Sequence, residues 1–225
     1  SVVLPALQSV GLQEADALVL SHADADHDGA AASLLRQFRF RQIWAGQGEA
    51  YGHWSTHDCR GEAWQWDGVW FEWLTLPRSK VASTTNAQSC VLRVVTQGQA
   101  LLIPADTGKE EEAALLQQYG QQLHSTVLLL GHHGSSGSNS SAWLNAVAPE
   151  LAIASSGFRN NYHHPTAAVQ TRLRAHGIKL YRTDTQGGMA VLLDGNLTVL
   201  PRAGPRFWWQ RKPFDTADRK RFTEK

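Results

Sequence analysis

Cysteine is scarce in this 225-residue chain. Cys59 and Cys90 are the only two, too few for a disulfide scaffold or a cysteine-based zinc site. No apolar run comes near the roughly 18 residues that a membrane-spanning helix needs. No charged start leads into an apolar stretch, so no signal peptide is legible. Charge of one sign is lacking too: Lys and Arg number 21 against 20 Asp and Glu, a net +1, which argues neither for nor against a nucleic-acid partner. Charged residues make up 18% and apolar ones 42%, so the chain is neither a disordered tail nor a coiled coil. There is no repeat and no low-complexity segment. The chain starts at Ser1, without an initiator methionine and directly in an apolar stretch, and is expected to be a piece of something longer. What is plentiful is tryptophan, nine in all, a count that points to core packing.

The length suits one large domain or two small ones. Residues 1–203 are expected to form one domain, with a net charge of −3, and residues 204–225 a basic aromatic tail with a net charge of +4. The first strand is expected at Ala17 to Leu20, an apolar run that stops at Ser21 and His22, and a helix at Gly29 to Phe38, where Ala32, Leu35 and Phe38 share a face. Asp67-Gly68, between two Trp-rich segments, predicts a hairpin over Trp64 to Leu74. A second hairpin is expected around Gln97-Gly98, from Cys90 to Ile103. Helices are predicted at Lys109 to Tyr119, with three Glu in its first turn, and at Ser140 to Val147 and Thr166 to His176. Strands are predicted at Val127 to Leu130, Leu151 to Ala154, Lys179 to Tyr181, Ala190 to Leu193 and Leu197 to Leu200. Hairpins first, then strands alternating with helices, describe an α/β layered sandwich.

Residues that bind metals cluster where apolar strands end. After the first strand come His22, Asp24, Asp26 and His27, four candidate ligands in six residues of loop. A loop can turn alternate side chains toward one point more closely than a regular helix or strand can, so these are read as metal ligands. Asp106 follows Leu101 to Ile103 and is either a ligand or a turn and helix-cap residue. His132 and His133, between Gly131 and Gly134, are either metal ligands or acid-base groups. His163 and His164, before Pro165, are either part of the same site or a capping and packing pair.

Taken jointly, these clusters resemble the metallo-β-lactamase superfamily, with its His-x-His-x-Asp-His, its Gly-Asp after a strand and its His after a later strand. Within that superfamily five motifs are similar to the C-terminal domain of the ComEC family. They are Ser-His-x-Asp-x-Asp-His (21–27), Asn-x-x-Ser-Cys-Val-Leu-Arg (86–93), Leu-Leu-x-Pro-x-Asp (101–106), His-His-Gly-Ser (132–135) and Asn-x-Tyr-x-His-Pro (160–165). Cys59, the segment Trp64 to Phe71 and Arg182-Thr183-Asp184 fit the same family, and the resemblance runs from about Val2 to Leu193.

The resemblance implies the αββα sandwich of that superfamily, without its first strands. It implies a metal-dependent hydrolase, a deoxyribonuclease that degrades the non-transforming strand during natural transformation, as part of a DNA-uptake channel in the inner membrane. The soluble domain would face the periplasm, and its partners would be DNA (a single strand), the membrane channel of the same full-length protein and other DNA-uptake machinery. Asp26, His27 and a His of the later pair, with His132 preferred over His133, would hold one divalent ion. His22 and Asp24 would hold the other, with Asp106 bridging. His164 would act as general acid or phosphate-orienting group, and Asn86 and Ser135 as donors to phosphate oxygens. Asp24 stands where most of the superfamily has His. Carboxylates suit harder ions, so Mn²⁺ is expected ahead of Zn²⁺. Ala105 replaces the Gly usual before the bridging Asp, a small change at negative φ and a strained one at positive φ. A periplasmic setting would allow a Cys59–Cys90 disulfide, the alternative being two buried thiols. The tail's cations and aromatics would either attract single-stranded DNA or form a solvated end. Two other readings stay open: hydrolysis of another small phosphodiester, and a non-catalytic DNA-binding or gating domain.

Overall fold

Twelve strands and six α-helices form among residues 3–9, 11–75 and 85–201, the residues described by the computed structural model. Helix α1 (Val3–Ser9) precedes β1 (Glu14–Leu20), α2 (Ala31–Leu35), β2 (Arg39–Ala45) and the two-residue β3 (His57–Asp58). Two hairpins follow, β4 (Ala63–Trp66) with β5 (Val69–Leu74), and β6 (Val91–Thr96) with β7 (Gln99–Ile103). Their turns are Asp67-Gly68 and Gln97-Gly98, with positive φ at all four residues, the geometry that matches the twist of paired strands. Strands then alternate with helices: α3 (Lys109–Tyr119), β8 (Val127–Leu129), α4 (Ser141–Val147), β9 (Leu151–Ala154), α5 (Ala167–Ala175) and β10 (Lys179–Arg182). The short α6 (Thr183–Gln186) and a hairpin of β11 (Met189–Leu193) and β12 (Leu197–Pro201) complete the order.

The large sheet has seven strands in the order β10-β9-β8-β7-β6-β5-β4. Strands joined by hairpins pair antiparallel, and β7 to β10, joined through α3, α4 and α5, pair parallel. A parallel connection needs a crossover, which these helices supply. Alternation along each strand sends side chains to two faces. Leu102 and Leu128 join Leu115, Leu144, Val169 and Leu173 beneath the helices, with Trp143 fully buried among them. A side chain of that size in a core is worth about 3–5 kcal/mol against alanine. On the other face Val127, Leu151 and Ile153 are covered by Val191, Leu193, Leu197 and Val199 of the last hairpin.

The second sheet, β1-β2-β3, is wholly parallel. Trp44 of β2 stacks on Trp64 of β4 at 5.6 Å and 5°, and Trp73 of β5 packs beside both. Cys59 and Cys90 lie in the same cluster, joined by a disulfide with Cα atoms 5.6 Å apart. Outside this sheet Leu20, Ala31, Ala45 and Tyr51 form a smaller core under α2. The order is helices, sheet, sheet, helix: an α/β, αββα sandwich.

Two expectations are corrected. The chain opens on a parallel β1-α2-β2 unit rather than on hairpins, because residues 39–45 form a strand whose Arg39, Arg41 and Gln42 remain exposed while Trp44 and Ala45 are buried. That half-charged strand lacks a clean apolar signal. The helix expected over residues 29–38 is five residues long, with turns on either side. The tail, 204–225, lies outside the described residues.

Candidate metal centre

In a parallel sheet all strands end on the same edge, so the loops that leave those ends meet. Strands β7, β8 and β9 are consecutive parallel neighbours. They deliver Asp106, then His132 and His133, then the 155–165 loop with His164, to one edge. The loop after β1 reaches the same place with His22, Asp24, Asp26 and His27.

Asp106 is the centre of the cluster and 4% exposed. Its Oδ1 lies 3.1 Å from His27 Nε2 and 3.7 Å from His133 Nε2. Its Oδ2 lies 3.6 Å from His132 Nε2 and 3.9 Å from His22 Nε2. Each carboxylate oxygen thus faces its own pair of imidazoles. Asp24 Oδ2 is 3.6 Å from His22 Nε2 on one side, and Asp26 Oδ2 is 3.4 Å from His133 Nε2 on the other. Among the described residues, two groups have donor atoms close enough to share an ion: His22, His27 and Asp106, and Asp26, His27 and His133. The side chain of Asp106 is therefore turned into the cluster, and the residue before α3 is Gly108, whose N–H donates to Glu111 at 2.7 Å.

The residues fit a divalent cation on an independent ground. His22 is fully buried, and its Nε2 has no hydrogen-bond partner. A buried polar atom left unpaired is costly, and this one points between two carboxylates. The opposite nitrogens are occupied. Ser21 Oγ lies 3.1 Å from His22 Nδ1 and 3.0 Å from His27 Nδ1, and Ser155 O lies 2.7 Å from His133 Nδ1. With a cation bound and Nδ1–H donating outward, each Nε2 would present a lone pair inward, the arrangement metal sites use. Thr183 supports this from behind. Its hydroxyl accepts from Ser156 N and donates to Ser156 O, both at 2.8 Å, which fixes the backbone next to Ser155.

Charge and burial oppose each other here. Burial alone would lower the His27 pKa, but the hydrogen bond and charge of Asp106, with Asp26 and Asp24, leave it raised. Burial would raise that of Asp106, and His27 outweighs it, so the carboxylate stays below its usual range. Burial, then the neighbouring His27, lower the pKa of His22, although Asp106, Asp24 and Asp26 oppose them. Burial, then the charges of His132 and His133, lower His164.

The backbone around the cluster is constrained. Ala105, His132 and His133 all have positive φ, 49°, 48° and 55°, and His132 N donates to Ala105 O at 2.9 Å. Gly134, at φ 89°, is where a Cβ would lie 2.5 Å from that of Pro165, so the two histidine loops touch only because this residue is glycine. Asn139, fully buried, accepts from Gly131 N at 3.0 Å and donates to Gly131 O at 2.9 Å. Glu112 in turn accepts from the backbone N–H of Asn139 and, at 2.9 Å, of Ser140. Arg172 donates to the carbonyls of Ser138 and Asn139. The disulfide reaches the site as well, because Cys90 N donates to Ser21 O at 3.0 Å.

Of the residues named from sequence, His22, Asp24, Asp26, His27, Asp106, His132 and His133 are brought together. His164 stands beside them, its ring 5.9 Å from that of His132 and 6.5 Å from that of His133. Asn86 and Ser135 make no hydrogen bond to the cluster among the described residues. Asn86 Oδ1 accepts from Thr85, and Ser135 Oγ accepts from Gly137 N. Ser21, Ser155, Thr183 and Asn139 are supporting residues that carry no ligand signal of their own in the sequence, although Ser21 and Thr183 lie within the family-like motifs.

The metallo-beta-lactamase superfamily matches residues 2–157. Among curated proteins, the chain is 46% identical over 214 residues to Competence protein ComA of Neisseria gonorrhoeae, covering 95% of this chain and 30% of that protein. It is 30% identical over 234 residues to ComE operon protein 3 of Bacillus subtilis, covering 96% and 28%. The chain thus spans about 30% of the length of these relatives. A putative metal-dependent hydrolase from Parabacteroides distasonis has the same fold, with a TM-score of 0.51 and 15% identity over 78% of this chain and 79% of that one.

Proposed function

Because the chain belongs to the metallo-β-lactamase superfamily, we propose that its cluster holds two divalent ions and hydrolyses DNA phosphodiesters as the nuclease domain of a ComEC-type DNA-uptake channel. The observation that carries this reading is the division of Asp106, one oxygen facing His27 and His133 and the other His22 and His132. Asp26, His27 and His133 would hold one ion and His22, Asp24 and His132 the other, with Asp106 available to both. His27 belongs to both close groups and, with its Nδ1 engaged by Ser21, offers a single nitrogen, so it would serve one ion.

Bound there, such ions neutralise charge on a phosphate and activate a water. The chain's own residues do the rest. Ser21, Ser155 and Thr183 hold the imidazoles in the inward-facing tautomer. Three carboxylates beside four imidazoles suit Mn²⁺, with Zn²⁺ next. His164, neutral and at the rim, orients a phosphate oxygen by donating a hydrogen bond. Asn86 and Ser135 remain candidate donors to the far phosphate oxygens.

The competence relatives support DNA as the substrate. In the full-length protein the partners are DNA, the membrane-channel part of the same chain and other uptake machinery. That protein is assigned to the inner membrane, with this domain on the periplasmic side, where a Cys59–Cys90 bridge is stable. Among the described residues no helix is long and apolar enough to cross a membrane.

The test is cleavage of end-labelled single- and double-stranded DNA with Mn²⁺, Zn²⁺ or Mg²⁺, comparing wild type with Asp26→Ala. Metal-dependent cutting that disappears in the variant is expected. A folded, metal-loaded wild type that leaves DNA intact overturns the nuclease reading and returns attention to a small phosphodiester or a gating role.

A further inference from the structure

The two most exposed large apolar side chains among the described residues are Tyr162, 78% exposed, and Phe158, 72% exposed. Both lie on the loop that brings His164 to the metal cluster. Large rings left in water need a reason when they border a site.

This loop is tightly held. Asn160 Oδ1 accepts from His164 N at 2.7 Å, and its Nδ2 donates to His164 O at 2.8 Å. His163 N donates to Asn160 O at 3.1 Å, and Thr166 N to Gly134 O at 3.0 Å. The exposed rings are thus presented by a fixed backbone. The ring of Tyr162 lies 5.6 Å from that of His164 at 23°, and His164 lies 6.5 Å from His133 at 21°. Three near-parallel rings therefore step from solvent to the metal cluster. Arg159 holds its guanidinium 5.2 Å above the Phe158 ring, adding a cation on the same loop.

We propose that Tyr162 is a stacking platform for an unpaired nucleobase next to the phosphate being cleaved, with Phe158 and Arg159 receiving the adjoining nucleotide. An exposed aromatic face binds any base, because every base has a π-face, and the cation attracts the backbone between them. A base inside a duplex already has both faces stacked, so this platform selects single-stranded DNA or frayed ends. It rests on the nuclease reading above and names the form of its substrate.

The experiment compares wild type, Tyr162→Ala and Tyr162→Phe on a single-stranded oligonucleotide and on the same strand with abasic residues around the cut. Binding is followed by fluorescence anisotropy and cleavage by gel, both with Mn²⁺. Tyr162→Ala is expected to weaken binding and raise KM for the base-bearing strand about tenfold, as loss of one stacked base does, while Tyr162→Phe restores both. The abasic strand is expected to be indifferent to either change. Equal affinity of wild type and Tyr162→Ala for the base-bearing strand, or an equal loss on the abasic one, overturns the platform. A wild type that cuts both strands equally well also overturns it and leaves the nuclease reading standing. A wild type that shows the Tyr162-dependent binding but cuts neither strand upholds the platform and overturns the nuclease.

Discussion

The carbonyl oxygen of Ser155 lies 2.7 Å from Nδ1 of His133, which commits the opposite nitrogen, Nε2, to face Asp26 and His27. His132 has no such outward partner among the described residues; its Nε2 is 3.6 Å from the other oxygen of Asp106. The two histidines are thus adjacent in sequence and face different oxygens of Asp106, which under the proposed function gives them different ions. His133→Ala is expected to release the ion held with Asp26 and His27, and His132→Ala to weaken the ion beside His22. Metal content after dialysis, by elemental analysis, checks this. Identical losses in the two variants would dissolve the assignment.

Ser21 has one hydroxyl between two imidazoles, and both Nδ1–H groups donate to it when both Nε2 atoms face the ions. Outer-shell partners of this kind are worth about 10–100-fold in metal affinity. Ser21→Ala is expected to lower affinity by about that factor while the fold and the disulfide persist. Calorimetric titration with Mn²⁺ measures it, and an unchanged affinity would show that the imidazoles are oriented by packing alone.

Ala105 sits at φ 49°, where an alanine costs about 1–2 kcal/mol that a glycine does not. Ala105→Gly is expected to raise stability by about 1 kcal/mol, less whatever the extra freedom of the unfolded chain removes. The denaturant midpoint should move upward with its slope unchanged. A lower midpoint would mean that the Ala105 methyl packs usefully enough to outweigh the strain.

Glu112 titrates in an unusual setting: burial raises its pKa, although the N–H groups of Ser140 and Asn139 and the charge of Arg172 oppose that. A carboxyl whose folded pKa lies above the unfolded one stabilises most below the unfolded value, and loses that stability as pH rises through the folded one. Wild type should therefore lose stability relative to Glu112→Gln as pH rises above the ordinary carboxylate range. Urea melts of both proteins over that rise in pH test the sign. A wild type that gains on the variant with rising pH would show that the backbone donors outweigh burial.

Most of this architecture was legible because apolar strands stop abruptly where ligands begin. Lys109 to Tyr119, both hairpins and the strands ending near Asp106 and His132 were placed to within a residue or two. Strand β2 was not, since three of its first four residues are exposed and only Trp44 and Ala45 carry a burial signal. Preference between His132 and His133 rested on which came first after the strand. Positive φ at both residues makes that order uninformative, because two left-handed residues in succession reverse the usual alternation. Ser21 acts through two hydrogen bonds to imidazoles of its own loop, Asn139 through two to the backbone of Gly131, and Ser155 through its carbonyl to His133, and residue type and spacing in sequence carry no mark of such pairs.

The bridge between Cys59 and Cys90 has a reach greater than its own two residues. The amide of Cys90 holds the carbonyl of Ser21, and the hydroxyl of Ser21 holds the imidazoles of His22 and His27. Two hydrogen-bonded steps thus separate the bridge from the candidate ligands His22 and His27. The path begins at Cys90, so the loop after β1 is anchored to the segment that the bridge ties down. The loop that carries four of the candidate ligands, His22, Asp24, Asp26 and His27, in this sense stands on a covalent foundation two hydrogen bonds away.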